Sequence, residues 1–77
     1  MSIRVLFFAQ LAEITNTKEI VMERTETTGQ LINNLVQKFP SLKNSVYLIA
    51  VEKEIIHADT ALFDHSVVAL LPPYSGG

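Results

Sequence analysis

Cysteine and tryptophan are absent from this 77-residue chain, and glycine and proline occur three times each. Without cysteine there is no disulfide framework, no thiolate zinc site and no cysteine nucleophile. Basic charge is also sparse: six Lys and Arg residues give a net charge of −2, and Lys18, Lys38, Lys43 and Lys53 stand singly. Neutralising a phosphate backbone needs clustered cations, so nucleic acid is not an expected partner. The longest apolar runs, such as Val67 to Leu71, fall far short of the ~20 residues of a membrane helix, so no membrane is expected either. Met1-Ser2-Ile3-Arg4 carries no secretory leader pattern, and a cytoplasmic location is the expectation.

What the chain does have is core-forming material, with 48% hydrophobic and 18% charged residues. One domain of this size buries only about 60% of its unfolded surface, which leaves little room for a deep pocket. The stretch Ile3 to Phe8 is β-branched and aromatic and predicts a strand. Ala9 to Ile14 is compatible with a short helix, and Thr15-Asn16-Thr17 is a turn in which Asn16 tolerates positive φ. Lys18 to Arg24 predicts a second strand, hairpin-paired with the first. Thr27 is a candidate N-cap, with Gln30 at capping-box spacing. Leu31, Ile32, Leu35, Val36 and Phe39 then repeat at helical intervals up to Pro40, leaving Asn33, Asn34, Gln37 and Lys38 for the wet face. Ser41 to Ser45 reads as loop and Val46 to Val51 as a third strand. Glu52-Lys53-Glu54 is a turn, and Ile55-Ile56 a short fourth strand. Asp59 to Ser66 reads as loop with Leu62 and Phe63 available to plug the core. Val67 to Leu71 is the last strand, stopped by Pro72-Pro73.

The order β-β-α-β-β-β predicts an α+β fold, a β-grasp (ubiquitin-like) roll. It has a mixed sheet of about five strands with one main helix packed on one face. Residues 1–71 form the domain, and residues 72–77 a flexible C-terminal Gly-Gly tail.

The usual catalytic devices are missing. No phosphate-binding glycine loop and no H-E-x-x-H pattern occurs, and Gly29 reads as a permissive residue in the first turn of the helix. His57 with Asp59, and Asp64 with His65, are better read as surface polar residues than as a metal site. No Ser/His/Asp spacing suggests a triad. No catalytic residue is therefore expected in this chain, and no metal or bound cofactor.

Two features stand out instead. A sheet covered by a helix on one face should be polar on the other. Here Leu6, Phe8, Val67, Ala69 and Leu71 share the face opposite Val5, Phe7, Val68 and Leu70. One set is core; the other is either covered internally by small helices and loops or offered to a partner. The second feature is the run Pro72-Pro73-Tyr74-Ser75-Gly76-Gly77. The prolines hold its start extended, and six residues past Leu71 span up to ~20 Å. Glycine at the last two positions leaves no side chain beside the carboxylate. Such a tail suits delivery of its end into another protein's narrow active site.

Val5-Leu6-Phe7-Phe8-Ala9-Gln10 and Val68-Ala69-Leu70-Leu71-Pro72-Pro73-Tyr74-Ser75-Gly76-Gly77 together resemble the small subunit of molybdopterin synthase, the MoaD family, over the full length. A Gly-Gly end alone is shared with ubiquitin and with the thiamin sulfur carrier ThiS; the F-F-A-Q start with the P-P-x-x-G-G end is more specific. The resemblance implies that an E1-like (MoeB-like) adenylating enzyme, using ATP and Mg, activates the Gly77 carboxylate. A sulfur donor then displaces AMP to give a thiocarboxylate. The tail delivers sulfur to cyclic pyranopterin monophosphate in the large subunit (MoaE-like), in a heterotetramer of two small and two large subunits. Phe8, Ile55 and Leu71 match apolar positions that contact the large subunit, and catalytic residues are implied in the partners. The chain departs from the family pattern at Ala12 (usually Arg), Asn16 (usually Gly), Glu52 (usually Asn) and Asp64-His65-Ser66-Val67 (usually D-G-D-E). A carrier for another sulfur pathway such as thiamin, a ubiquitin-like protein modifier joined to lysines, and a β-grasp interaction module with an incidental Gly-Gly are the alternatives.

Overall fold

In the computed structural model the chain is described over residues 1–74. The elements are β1 (Ser2–Phe7), α1 (Gln10–Thr15), β2 (Glu19–Glu23), α2 (Thr28–Lys38), a 3-10 helix (Pro40–Asn44), β3 (Leu48–Val51), β4 (Glu54–Ile56) and β5 (Val67–Leu71). The strands form one sheet in the order β2-β1-β5-β3-β4. β1 and β5 are parallel neighbours at its centre, and the other pairings are antiparallel. This is the expected β-grasp arrangement.

Alternation along the strands sends Ile3, Val5 and Phe7 of β1 and Val68 and Leu70 of β5 into the core. The register aligns Val5 with Val68 and Phe7 with Leu70, so these side chains meet in rows. Leu11, Leu31, Leu35, Leu42 and Leu62 close over them from the helices and the last long loop. Phe39, at the end of α2, meets Phe7 edge-to-face with ring centroids 5.8 Å apart.

The start of α2 follows its sequence signals with one change. Thr27 Oγ1 accepts from the Gln30 amide at 3.4 Å, as an N-cap should. The Gln30 side chain, however, accepts from the Glu26 amide at 2.9 Å rather than from Thr27. The returning half of the box thus lands one residue earlier. Asn33, Asn34, Gln37 and Lys38 are exposed, as their spacing predicts.

Three further expectations change. Ser41 to Ser45 is mostly helical rather than loop, because Pro40 can open a helical turn even though it cannot continue one. The third strand begins at Leu48 and not at Val46, which is exposed. Of the two proposed plugs Leu62 is buried, whereas Phe63 is 70% exposed. The Leu62 amide is tied to Glu26 O at 2.9 Å, which sets Leu62 facing inward and sends its neighbour outward.

Left-handed backbone marks the turns. Asn16 has φ 59°, and Glu52 and Lys53 have φ 50° and 71° in the two-residue β3–β4 turn. Successive positive φ values at the centre of a hairpin match the right-handed twist of its strands. His65 also enters this region, at φ 68°. Its amide donates to Ser2 O at 2.8 Å, and Asp64 Oδ1 accepts from the Ser2 amide at 2.9 Å. These two bonds hold a conformation that histidine adopts less readily than glycine.

Candidate functional site

The face of the sheet away from the helices is apolar and uncovered. Direct pairing puts side chains on the same side, so the register defines its rows. One row runs Ile55, Ala50, Ala69, Leu6, Glu19 across β4, β3, β5, β1 and β2. The next pairs Leu48 with Leu71, and Phe8 continues the alternation of β1 beside them. The Phe8 amide still donates to Leu70 O at 3.1 Å, so the ladder persists past the end of β1.

Phe8 is 46% and Ile55 48% exposed, while Leu6, Leu48, Val67, Ala69 and Leu71 are half-buried by one another. The helices send their buried side chains, Leu11, Leu31, Leu35 and Leu42, to the opposite face. The choice that the sequence left open, internal cover or exposure, thus falls to exposure among the described residues. Ile55, reached through resemblance and not through alternation, lies on the same face as Phe8 and Leu71.

Toward β2 the apolar surface is interrupted by an ion pair, with the exposed Val21 beside it on the same face. Arg4 Nε and Nη2 donate to the two Glu19 carboxylate oxygens at 2.9 and 3.0 Å. The hydrogen bond from Arg4, helped by its charge, holds the Glu19 carboxyl below its ordinary range. At the opposite end of β5, Glu52 Oε1 accepts from the Val67 amide at 2.7 Å. That bond leaves no free donor at the strand's start.

β5 carries this face directly into the tail. Pro72 is half-buried, and the chain bends at Pro73 and Tyr74 instead of continuing extended. Proline fixes only its own φ, and the ψ of Pro73 is free to turn the chain. Tyr74 Oη accepts from Gln10 Nε2 at 2.9 Å. Ser75, Gly76 and Gly77, on which the carrier expectation rests, lie outside the described residues.

The other polar residues singled out in the sequence serve the fold. Asp59 Oδ1 accepts from the Gly29 amide at 2.7 Å and lies 3.3 Å from Thr28 Oγ1. Chiefly the Gly29 bond keeps the Asp59 carboxyl below its ordinary range. Asp59 is a cap for α2 brought from 30 residues away, and no local pattern announces it. His57 is near in sequence but makes no side-chain bond to it. Asp64 is held low by the Ser2 amide first, with the adjacent His65 contributing. Among the described residues no group of three His, Cys, Asp or Glu side chains comes together. A shallow cleft of about 540 Å³ between α2 and the β3–β4 hairpin, walled by Ile32, Tyr47, Ile49 and Ile56, is largely apolar.

Comparison with known proteins bears on these features together. The ThiS family profile matches residues 5–77. A relative in Arabidopsis thaliana described as a molybdopterin synthase sulfur carrier subunit is 34% identical over 82 residues, spanning 100% of this chain and 84% of the relative. The structure of the complex of subunits 1 and 2 of the molybdopterin-converting factor from Helicobacter pylori contains a chain 28% identical. It aligns over 100% of both chains at a TM-score of 0.75. The solution structure of small archaeal modifier protein 1 from Methanosarcina acetivorans is 25% identical, with a TM-score of 0.85, over 99% of this chain and 96% of its own.

Proposed function

The chain belongs to the ThiS family, and from its likeness to the Arabidopsis relative we propose that it is the sulfur carrier subunit of a molybdopterin synthase. The observation that carries this reading is the continuity of the exposed apolar face with the tail. Leu71 lies in that face beside Leu48 and Phe8, and the next residue opens the tail. A surface that docks and a segment that delivers are therefore joined without a linker. The Arabidopsis relative and the Helicobacter complex of subunits 1 and 2 support a large-subunit partner.

In the proposed chemistry a Gly77 carboxylate oxygen attacks the α-phosphorus of ATP in an E1-like activating enzyme, and pyrophosphate leaves. A carboxylate is a poor electrophile; the acyl-adenylate has AMP as a leaving group. A sulfide-level sulfur donor attacks the carbonyl carbon, AMP departs, and a thiocarboxylate remains. Its sulfur then bonds to cyclic pyranopterin monophosphate within the large subunit, toward the dithiolene of molybdopterin, and water cleaves the acyl–sulfur bond to return the Gly77 carboxylate. This chain supplies reach, exposure and docking, and the acid–base groups belong to its partners. Phe8, Ile55 and Leu71 are the docking residues. Pro72 to Gly76 form the spacer, and Gly77 is the covalent carrier site. The assembly is a heterotetramer with two carriers.

Likeness to a small archaeal modifier favours one second reading, attachment of Gly77 to lysines of other proteins. Intact-mass measurement after incubation with activating enzyme, ATP, Mg and a sulfur donor separates the two. The carrier reading requires a species with one oxygen of Gly77 replaced by sulfur, and large-subunit-dependent molybdopterin formation. Isopeptide conjugates without a thiocarboxylate would favour the modifier. Deleting Gly77 is expected to abolish loading while the circular dichroism spectrum and large-subunit affinity stay unchanged.

A further inference from the structure

The bond between Gln10 and Tyr74 is not needed by the fold. The Tyr74 residue is 66% exposed, so little apolar burial holds it there. Yet both partners are anchored to the same place. Gln10 opens α1 immediately after Ala9, whose backbone is at φ 53°, ψ −130°. Phe8 O accepts from the Leu11 amide at 3.0 Å, and the Phe8 amide donates to Leu70 O at 3.1 Å. This turn sets Gln10 beside the exit of β5. From that exit the chain passes the half-buried Pro72 and bends at Pro73 and Tyr74, which brings the phenol to Gln10.

We infer that Gln10 and Tyr74 form a latch that parks the start of the tail in a bent conformation, and that the latch opens before the tail threads a partner's active site. The inference rests on the carrier reading for its function, though not for its geometry. A tail delivers its end farthest when extended, at ~3.3 Å per residue. A bend two to three residues after β5 shortens that reach. The bond is also weak enough to open. A neutral hydrogen bond in contact with water favours the closed form only about two- to tenfold, so docking energy can break it readily. The latch keeps the tail off non-cognate surfaces in the free carrier, and it taxes each productive engagement by the fraction closed.

The test uses the full 77-residue chain and four variants: Tyr74→Phe, Gln10→Ala, the double variant, and Gln10→Glu. A carboxylate at position 10 accepts from the Tyr74 hydroxyl, so Gln10→Glu keeps the bond with its direction reversed. Backbone 15N relaxation is the first readout. Tyr74 is expected to be more ordered in the wild type and in Gln10→Glu than in the other three. Equal order in all five proteins overturns the latch. Adenylation by the activating enzyme is the second readout. Its kcat/KM is expected to rise about two- to tenfold in either disrupting variant, no further in the double variant, and not in Gln10→Glu. Unchanged or lower rates, with a wild type that is adenylated, also overturn it. A wild type that no E1-like enzyme adenylates counts against the carrier reading instead, and the relaxation result alone then decides the latch.

Discussion

A β-carbon added to Gly29 would stand 3.0 Å from Asp59 Oδ1, the atom that accepts the Gly29 amide at 2.7 Å. The missing side chain in the first turn of α2 thus makes room for a cap from a distant loop. Asp59 cannot easily yield, because Thr28 also holds it. Gly29→Ala is therefore expected to lower the melting temperature despite a helix propensity gain of up to about 1 kcal/mol. In an Asp59→Ala background the same substitution is expected to raise it. A positive sign in both backgrounds would show that the carboxylate gives way.

Acid should weaken the same contact. Asp59 has a folded-state pKa below the ordinary aspartate value of 3.8. Its contribution to stability is therefore full above that value and is lost as pH falls through the lowered folded pKa. Asp64 and Glu19, also held low, add to this acid loss. Asp59→Asn is expected to flatten the fall in urea midpoint below about pH 4 while lowering the midpoint near neutrality. A variant with the wild-type pH profile would remove Asp59 from the account.

Ala9 bears a positive φ, at φ 53° and ψ −130°, in the turn closed by the Leu11 amide on Phe8 O. That region is glycine territory and costs an alanine about 1–3 kcal/mol. Glycine adds back up to about 1 kcal/mol of unfolded-state entropy. Ala9→Gly is expected to stabilise the protein by about 1 kcal/mol, read from urea denaturation at constant slope. A destabilised variant would mean that the turn is unstrained.

Docking can be tested apart from folding at two exposed apolar positions of the sheet face. Phe8→Asp and Ile55→Asp should leave the melting temperature within a few degrees, since both residues are about half exposed. Each is expected to weaken binding to the large subunit by about 2 kcal/mol or more, some thirtyfold, because an unpaired carboxylate would enter an apolar contact. Titration calorimetry would sink the assignment if the affinities matched the wild type. Phe63→Asp, at an exposed position in the loop before β5, serves as the control.

Periodicity reveals more than composition does. The amphipathic run from Leu31 to Phe39 and the strand-like runs around Val5 and Val68 are legible because helix and strand expose side chains at fixed intervals. Their burial agrees. The doubly apolar β1 and β5 already announce a second apolar face, though not whether it is covered. Turn chemistry is legible at Asn16 and less so at His65, where bonds to Ser2 decide the conformation. The outward turn of Phe63 and the bend after Pro72 run against their local sequence, because each depends on an anchor far away in the chain.

Local sequence by itself determined most of the elements, the Thr27 cap and the two apolar faces, since each depends on neighbours within a turn or a strand. Tertiary structure alone decided which face stayed open and that Ile55 joins Phe8 and Leu71 on it. It alone brought Asp59 to Gly29 and Tyr74 to Gln10. The physical reason is separation: these contacts span from 30 to 64 residues. Only the parallel pairing of β1 with β5, which sets the first and last strands side by side, brings Gln10 and Tyr74 within a hydrogen bond.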